Sequence, residues 1–267
     1  MKKIYFRPDG GLGNRMRSML SAINFCRDNN LELNIIWVLD GGFNCRFDEI
    51  FDVSNFKHIH FHYINNKSIN IANNYYFFNC LLKLKCYCVN DNVSDYKQLM
   101  ELIKKSKKNL YFHSFSIFYK DDGYDMFVPK KIVSEKVNEF YSKILVSNVV
   151  GIHIRRTDNE MSVINSPIEL FIEKMRNELS NNSNTVFYLA TDSVDTRQKL
   201  IDIFGNEKIL YNSCVTLNRS TKDGIISAMI DLYSLSKTNK IYGSFWSSFS
   251  ETAAKIGNKN LDILVKK

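Results

Sequence analysis

Short apolar runs that lead into a glycine-rich or polar segment, each followed by a helical pattern, recur along this chain. Residues 3–7 have an extended pattern, residues 8–13 are rich in glycine, and apolar residues recur at helical spacing from Asn14 onward. Residues 33–39 then form an apolar run that suits a buried parallel strand. The alternation resumes at residues 149–154. Because strands that alternate with helices form parallel sheets, the sequence predicts an α/β fold with mainly parallel sheets.

Length and composition indicate two domains of modest size. Domains usually have roughly 100–200 residues, and this chain has 267. Hydrophobic residues make up 45% of the chain, which suffices for apolar cores, and only 3 prolines and 11 glycines argue against long linkers. A break near Asn148 predicts an N-terminal domain of residues 1–147 and a C-terminal domain of residues 148–267. We expect two small doubly wound domains that face each other, with one large α/β domain as the alternative.

The segments beyond the first β-loop-α-β unit follow the same scheme. Residues 44–92, which are rich in asparagine and aromatic residues, contain no pattern from which we infer chemistry. The later pattern predicts helices at 95–108, 130–144, 168–179, 195–204, 224–236 and from 250, and strands at 110–115, 149–154, 185–190, 208–210 and 240–243.

The formal net charge of +8 indicates a preference for anionic partners. The lysines are scattered, apart from a short cluster at residues 104–108 that we interpret as a solvated helix end. A peripheral contact with acidic lipid headgroups is the alternative for this cluster. Since the chain has no arginine-rich arm and no basic stripe interleaved with aromatics, we do not expect nucleic acid as a partner.

The cysteines and the N-terminus bear on the compartment. The 6 cysteines do not have the paired spacing of a zinc site, so we expect buried free thiols. The first residues include no apolar run of signal-peptide length, and no segment approaches the roughly 18 apolar residues of a membrane span. These observations predict a cytoplasmic, reducing location.

Two segments between a strand and a helix carry glycines and arginines. In the first, GGLGNR at residues 10–15, the glycines would let backbone N–H groups approach a phosphate, and Arg15 and Arg17 would add mobile cations. Purely structural glycines are the alternative. The second, GIHIRRTD at residues 151–158, ends an apolar strand, and alternation puts His153 and Arg155 on one face and Arg156 on the other. Adjacent arginines at a strand end suit phosphate, whereas ion pairs with carboxylates at a domain interface are the alternative.

Two further segments have the same placement. In ATDS at residues 190–193, Asp192 could accept hydrogen bonds from a base edge or ribose, but we favour a helix-capping role for it. In GSFWSSFSE at residues 243–251, serine hydroxyls and free N–H groups at a helix start form an anion-friendly pocket. Trp246 in this segment could stack on a sugar or a base, although we favour packing for it.

Four segments, taken together, resemble the motifs of the GDP-fucose-dependent fucosyltransferases. They are GGLGNRMRSMLSA, GIHIRRTDN, FYLATDS and DLYSLSKTNKIYGSFWSSFSETAA. This superfamily includes α1,2-, α1,6- and protein O-fucosyltransferases. The H-x-R-R-x-D segment is most similar to the α1,6 and nodulation enzymes, and the resemblance covers the start of the chain and most of residues 149–257. It implies a GT-B-type fold with two facing Rossmann-like domains. It also implies an inverting, metal-independent transfer of L-fucose from GDP-fucose to a hydroxyl of a glycan acceptor.

The resemblance also implies roles for individual residues. Arg155 matches the arginine that binds the donor pyrophosphate, Arg156 would support it, and His153 would line the nucleotide pocket. Asp231 and Asp192 would approach the guanine or the ribose. The remaining implied donor contacts are Gly11, Gly13, Asn14 and Arg15 in the N-terminal domain and Ser193, Ser247 and Ser248 in the C-terminal domain.

The chain departs from the α1,6 enzymes after Arg156, where their lysine and distal glutamate are not reproduced. The candidates for the catalytic base are therefore Asp158 and Glu160. An enzyme of the same fold that uses another nucleotide sugar is one alternative, and a non-catalytic nucleotide- or glycan-binding module is another. We expect no metal or cofactor. His58, His60 and His62 would share a strand face, but no carboxylate or cysteine lies near them in sequence.

Overall fold

The computed structural model describes residues 2–65, 67, 74–142, 148–157, 159–213, 216–218 and 220–266. The chain divides into two compact units. The first unit comprises Met1–Lys130 and Asn218–Ile225, and the second comprises Lys131–Leu217 and Ile226–Lys267. Each unit is built on a five-stranded sheet whose neighbouring strands pair in parallel.

The sheet of the first unit has the strand order β3-β2-β1-β5-β4. Its strands are β1 (Lys3–Pro8), β2 (Glu32–Leu39), β3 (His60–Asn65), β4 (Cys86–Cys88) and β5 (Asn109–Ser114). The helices are α1 (Leu12–Asp28), α2 (Phe47–Ile50), α3 (Tyr75–Lys85) and α4 (Tyr96–Lys105), with short 3-10 helices at Ser54–Phe56 and Tyr124–Met126. The strand order reverses between β1 and β5, and open α/β sheets bind ligands at the carboxyl ends of the strands beside such a point.

The core of the first unit explains its aromatic composition. Helix α1 buries Met16, Met19 and Leu20 among its apolar residues, which recur at helical spacing. Phe47 in α2 packs against several aromatic rings, with ring centroids 4.6 to 6.3 Å apart: Trp37, Phe51, Phe56, Phe61 and Phe127. The segment from residue 44 onward, to which the sequence assigned no chemistry, therefore supplies a large part of this core.

The sheet of the second unit has the strand order β10-β9-β6-β7-β8. Its strands are β6 (Val149–Ile154), β7 (Val186–Thr191), β8 (Ile209–Tyr211), β9 (Lys240–Ser244) and β10 (Asn260–Leu264). Its helices are α5 (Lys131–Ser142), α6 (Glu160–Asn165), α7 (Ile168–Asn181), α8 (Val194–Phe204), α9 (Lys222–Lys237, whose first residues belong to the first unit) and α10 (Ser248–Gly257). The central strand β6 is buried along its whole length, and the order reverses between β6 and β9.

Two layers of helices cover this second sheet. Val150 and Ile152 of β6 pack with Phe171 and Met175 of α7 and Leu200 of α8 on one face. On the other face, Gly151 lets the end of α9 approach closely, because a Cβ at this position would lie 2.7 Å from Thr238 Oγ1. Gly243 likewise lets α10 approach the sheet closely, since a Cβ there would lie 2.5 Å from Ser250 Oγ. Helices α9 and α10 therefore lie directly on the face that carries His153.

The α/β fold with mainly parallel sheets that the sequence predicts is confirmed. The division into compact units falls earlier than residue 148, because α5 contacts elements of the second unit. The ring of Phe140 in α5 meets that of Tyr188 at 5.5 Å, and Tyr141 Oη donates a hydrogen bond of 2.8 Å to the backbone oxygen of Ser234. The end of the predicted helix 130–144, residues 143–144, lies outside the described residues.

The described cysteines are free thiols, and Cys26, Cys45 and Cys86 among them are buried. Cys80 is exposed and Cys88 is partly buried, so the expectation of buried thiols is wrong for Cys80. Cys214 lies outside the described residues. Within the described part of the chain, no helix combines the length and the apolar character that crossing a membrane requires.

Candidate functional site

The candidate site of the second unit lies at the carboxyl ends of β6, β7 and β9. The loops that follow these three strands carry most of the residues singled out in the sequence. Strand β6 continues into Arg155 and Arg156, β7 into Asp192 and Ser193, and β9 into the segment that opens α10. Because β6 and β9 flank the reversal of strand order, this edge is the expected ligand-binding edge of the sheet.

Asp192 connects the loop after β7 to the loop after β6. Its Oδ2 lies 3.0 Å from Arg155 Nη1 and accepts a 2.8 Å hydrogen bond from Thr157 Oγ1. Its Oδ1 accepts a 2.7 Å hydrogen bond from the backbone N–H of Arg156. Both carboxylate oxygens are thus engaged by residues 155–157, so the direct role of Asp192 is to hold the Arg155 guanidinium at the strand end. Contact between Asp192 and a nucleotide stays a prediction.

The cap of α8 is Ser193 and not Asp192. The Ser193 Oγ accepts a 3.1 Å hydrogen bond from the backbone N–H of Thr196, which is the usual arrangement of an N-cap serine. The favoured capping role for Asp192 is therefore wrong by one residue. The Ser193 hydroxyl, which the resemblance assigned to donor binding, thus caps the N-terminus of α8.

The Arg156 guanidinium contacts backbone oxygens, whereas that of Arg155 contacts the Asp192 carboxylate. Arg156 Nη2 donates a 2.7 Å hydrogen bond to the backbone oxygen of Ser166, and its Nη1 donates to the backbone oxygen of Arg155 at 3.1 Å. Burial lowers the pKa of this half-buried guanidinium. Arg156 therefore ties the end of β6 to the residues before α7, which supports the placement of Arg155.

His153 is a buried, neutral imidazole with an unused nitrogen. Its side chain is only 5% exposed, and its ring stacks on Phe249 of α10 at 5.0 Å between centroids. Burial, together with the positive charge of Arg155, lowers the pKa of His153 to about 4. No described residue forms a hydrogen bond with its Nδ1. A buried polar atom without a partner is uncommon in proteins, so the site has hydrogen-bonding capacity to spare at this point.

Polar side chains fix the backbone between β9 and α10. The Ser244 Oγ accepts a 3.0 Å hydrogen bond from the Arg155 N–H, and the Ser166 Oγ accepts one of 2.8 Å from the Phe245 N–H. Ser162 donates to the Phe245 carbonyl, and Asn159 Nδ2 donates to the Trp246 carbonyl at 3.0 Å. These contacts come from residues 155–166, so the two loops beside the strand-order reversal form one hydrogen-bonded structure.

The segment ends in Trp246, which the structure leaves in solvent. Its side chain is 69% exposed, so the favoured packing role is wrong. Ser247 follows as the N-cap of α10 without a side-chain capping bond, and Ser248 is the first helical residue. The start of α10 thus presents two hydroxyls and the partial positive charge of a helix N-terminus, as expected, whereas their contact with a phosphate stays a prediction.

Asp231 lies on α9 over the same face of the sheet as His153. Tyr188 pairs with Gly151 in the register of β6 and β7, and His153 is two residues further along β6. Tyr188 Oη donates a 2.8 Å hydrogen bond to Asp231 Oδ1. Burial raises the pKa of Asp231 to about 7. A carboxyl group that burial disfavours as an anion gains from a ligand that donates hydrogen bonds to it.

In the first unit, the glycine loop lies where β1 leads into α1. Gly10 has φ +78°, which glycine adopts without strain, and a Cβ there would lie 2.7 Å from Asn14 Nδ2. Gly11 is the N-cap of α1 and Gly13 is buried in its first turn. The loop has the predicted position at a helix N-terminus, and the contacts of Gly11, Gly13 and Asn14 with a phosphate stay predictions.

Arg15 is a buried structural residue, so the expectation of a mobile cation at this position is wrong. Its side chain is 2% exposed. Its Nε donates to the Gly10 carbonyl and its Nη1 to the Val38 carbonyl, both at 2.9 Å, and its guanidinium lies 4.8 Å from the centroid of the Trp37 ring. Burial lowers the pKa of Arg15 to about 10, so it remains charged at pH 7. The side chain fastens the glycine loop to the end of β2.

Sequence reasoning missed a second charged group beside this loop. Asp9, which precedes Gly10, accepts from Arg7 Nη2 at 3.0 Å and lies 2.7 Å from His113 Nδ1. The other ring nitrogen of His113 lies 2.8 Å from the backbone oxygen of Asn90. Since both partners are acceptors, the imidazolium form satisfies both bonds, and the hydrogen bond with Asp9 raises the pKa of His113. The aspartate directly before the glycines was the available signal.

The remaining residues singled out in the sequence are the candidate bases and the histidines of residues 58–62. Glu160 is exposed in the first turn of α6, and Asp158 lies outside the described residues. His60 and His62 lie on the edge strand β3, His58 precedes it, and the His62 ring packs 5.5 Å from that of Phe78. Among the residues described, no group of three His, Cys, Asp or Glu side chains could hold a metal ion.

Comparison with known proteins identifies the fold. No protein-family model matches the chain, and no curated protein matches it in sequence. Three similar solved structures are NodZ α-1,6-fucosyltransferase co-crystallised with GDP, POFUT1 in complex with GDP-fucose, and a variant of Arabidopsis thaliana FUT1 in complex with GDP. The TM-scores are 0.60, 0.57 and 0.62, and the sequence identities are 15%, 12% and 14%. The similarity covers 94%, 98% and 98% of this chain and 91%, 98% and 70% of the other chains.

The chain therefore has the GT-B-type fold of fucosyltransferases, which confirms the fold implied by the four motifs. The similarity to POFUT1 covers 98% of this chain, which is more than the segments that carry the four motifs.

Proposed function

We propose that this chain is a fucosyltransferase that moves L-fucose from GDP-fucose to a hydroxyl group of a glycan acceptor, with inversion at the anomeric carbon. The observation that carries the proposal is the arrangement beside the strand-order reversal of the second sheet. There, Arg155 is held by Asp192 next to the segment that opens α10. The motifs and the fold support the same activity, since the structures named above contain GDP or GDP-fucose.

The diphosphate of the donor would bind to Arg155 and to the start of α10. Helix N-termini favour anions through their free N–H groups and their partial positive charge, and the hydroxyls of Ser247 and Ser248 add two further donors. An arginine fork forms charge-assisted hydrogen bonds with phosphate oxygens. Because Asp192 and the backbone contacts of residues 155–157 fix this loop, the positive charge would be oriented before the donor binds.

The guanine base would be recognised by Asp231 and His153. Guanine presents an N–H and an amino group side by side on one edge, and a carboxylate can accept from both. Asp231 would gain such donors at a site where burial alone makes its ionised form unfavourable. The unused Nδ1 of the neutral His153 would supply one more hydrogen bond. Uracil and cytosine lack this pair of neighbouring donors, so the site would select guanine.

The reaction needs a base and a group that stabilises the leaving diphosphate. As the acceptor oxygen attacks the anomeric carbon, the bond to the β-phosphate oxygen breaks and negative charge develops on GDP. Arg155 and the α10 amides would stabilise that charge, while a carboxylate would take the proton of the acceptor hydroxyl. Asp158 and Glu160 are the proposed candidates for this carboxylate. A single displacement of this kind inverts the anomeric configuration.

Nucleotide selectivity is the first test. At equal concentrations, GDP is expected to raise the midpoint of thermal unfolding well above the effect of UDP, ADP or CMP, because only a nucleotide that binds the folded state stabilises it. Asp231→Asn should reduce the GDP effect and leave the small effects of the other nucleotides unchanged. Equal or greater stabilisation by UDP or CMP would contradict a GDP-sugar donor.

Turnover separates an enzyme from a binding module. GDP release from GDP-fucose is measured across a panel of oligosaccharides with terminal galactose, glucose or N-acetylglucosamine, and the anomeric configuration of the product is assigned by NMR. Release that depends on the oligosaccharide is the expected result. GDP binding without turnover on any acceptor would favour a non-catalytic binding module. Turnover of a different nucleotide sugar would favour an enzyme of the same fold with another donor.

Substitution of the two candidate bases tests their part in the reaction. If Asp158 is the base, Asp158→Asn is expected to lower kcat by roughly 10²–10⁴-fold, the usual contribution of a general base. If Glu160 is the base, the same loss is expected for Glu160→Gln. GDP affinity should stay within about twofold, because neither change removes a proposed donor contact. Glu173→Gln, at an exposed position of α7, serves as a carboxylate control. Full activity in both variants would exclude these two residues.

A further inference from the structure

Trp246 has a backbone conformation that bulky residues rarely adopt. Its φ of +54° lies in the left-handed region, where residues other than glycine are uncommon and large side chains are outliers. The other described non-glycine residues with positive φ are Asn30 and Asn258. These follow the ends of α1 and α10, a position where asparagine often adopts this conformation. Trp246 has no comparable local reason for its conformation.

The surrounding structure imposes this conformation and places the indole in solvent. Asn159 fixes the carbonyl of Trp246, while Ser162 and Ser166 fix the carbonyl and the N–H of Phe245. Yet the Trp246 side chain is 69% exposed, and its ring lies 6.3 Å from that of Phe245. An unfavourable backbone conformation that three other side chains maintain is characteristic of functional sites. The exposed indole is a large, rigid apolar surface that a ligand can reach.

The position of the ring indicates which kind of ligand it can contact. Trp246 directly precedes Ser247, the N-cap of the helix proposed to bind the donor diphosphate. The donor sugar is bonded to that diphosphate, and the acceptor sugar must reach the same anomeric carbon. A pyranose has a face of C–H groups, and an indole face is a large apolar surface with negative electrostatic potential. The two surfaces are complementary in shape and polarity.

We propose that Trp246 is a stacking platform for a pyranose ring, supplied by the donor sugar or by the acceptor, and that it sets the affinity for that sugar. The proposal rests on the proposed function, because the diphosphate position at α10 places the sugar. It assigns to Trp246 no contact with guanine and no part in the proton transfer.

Variants at Trp246 test the proposal by separating the sugar from the nucleotide. Trp246→Ala and Trp246→Gly are expected to weaken binding of the sugar-bearing substrate about tenfold, whereas the Kd of GDP stays within about twofold. Glycine adopts positive φ freely, so the Trp246→Gly variant keeps the loop conformation and loses only the ring. Trp246→Phe retains an aromatic face and should recover most of the affinity. Val194→Ala is the matched control, because Val194 is 56% exposed at the start of α8 on the same edge of the sheet.

The two sources of the sugar give different results, and each supports the proposal. An increase in the Kd of GDP-fucose without an increase in that of GDP identifies the donor sugar. An increase in the KM of an oligosaccharide acceptor at saturating GDP-fucose identifies the acceptor. The proposal is overturned if both quantities stay within twofold of the wild type in the alanine and glycine variants. It is also overturned if GDP loses as much affinity as GDP-fucose, because the indole would then contact the nucleotide.

Intrinsic fluorescence gives a readout that does not depend on turnover. The chain has 2 tryptophans, and Trp37 is 1% exposed, so Trp246 is the one that a ligand can cover. Sugar stacking should move the emission to shorter wavelength and protect it from acrylamide, and both effects should disappear in Trp246→Phe. If the wild type fails to bind GDP-fucose but an oligosaccharide still produces this change, the proposed function fails and the platform stands. If no sugar probe produces it, the platform is rejected.

Discussion

Replacement of Arg15 by alanine is expected to destabilise the first unit by about 3–5 kcal/mol and to lower its midpoint of thermal unfolding by roughly 10–20 °C. The guanidinium fills a buried space beside Trp37 and Phe43 and donates hydrogen bonds to the carbonyls of Gly10 and Val38. Alanine leaves a cavity and leaves both carbonyls without this partner. Circular dichroism at a series of temperatures measures the loss.

Two companion variants identify the cause. Arg15→Lys retains the charge but lacks the planar fork that reaches both carbonyls, so it should recover only part of the stability. Arg17→Ala, two residues further along α1, is the control, and we expect a change within about 1 kcal/mol because Arg17 donates to the Phe115 carbonyl at an exposed site. A stable Arg15→Ala protein that has lost its affinity for GDP would instead support a direct phosphate contact.

Arg15 illustrates which information the sequence lacked. The strand, the glycine turn and the helix that follows it are predicted from local pattern and confirmed, although α1 begins at Leu12, two residues before the predicted start. Apart from the Gly10 carbonyl, the partners of Arg15 named above lie on or beyond β2, more than twenty residues away, and only the folded chain brings them to the loop. An arginine beside a glycine loop therefore looks like a phosphate ligand in sequence, whereas tertiary packing makes it a structural residue.

The second sheet shows the same division between local and distant information. Apolar runs predicted the ends of β6, β7 and β9 to within one residue, and the strand ends carry the predicted polar segments. The hydrogen bonds that join these segments connect residues 155–166 with residues 192 and 244–246, so no local pattern reveals them. The solvent exposure of Trp246 follows from these distant contacts, and the local preference for packing was misleading.

Residues 44–92 were not assigned because their signals are weak. Strand β4 has 3 residues, and β3, at the edge of its sheet, alternates histidine with aromatic residues instead of polar with aliphatic ones. Short edge strands bury few side chains and so leave little periodicity to detect. The aromatic cluster around Phe47 uses residues spread from Trp37 to Phe127, and its existence depends on their meeting in space.

Arg155→Ala is expected to cause a large loss of activity. Loss of one donor to the charge that develops in the transition state usually costs about 10²–10³ in kcat. Arg155 is the arginine that Asp192 holds at the end of β6, beside the start of α10. Initial rates of GDP release and the Kd of GDP separate chemistry from binding. The Kd should rise far less than kcat falls, because the α10 amides and the proposed guanine contacts remain.

Two further variants make the test specific to this guanidinium. Arg155→Lys should restore little activity, because an ammonium group cannot form the two parallel hydrogen bonds that a guanidinium forms with a phosphate. Arg176→Ala removes an exposed arginine from α7 and should leave kcat unchanged. The unfolding midpoint of each variant is measured as well, since Arg155 contacts Asp192 and a lost fold would otherwise be mistaken for lost catalysis.

The same reasoning predicts that EDTA leaves the wild-type rate essentially unchanged. When the bond to fucose breaks, a cation must neutralise the charge on the β-phosphate, and we propose that Arg155, with the partial charge of the α10 N-terminus, supplies it. An enzyme that needed a divalent cation would lose activity in EDTA and recover it with Mg²⁺ or Mn²⁺. Such a recovery, or an Arg155→Ala variant close to full activity, would show that the leaving group is stabilised by something other than this arginine.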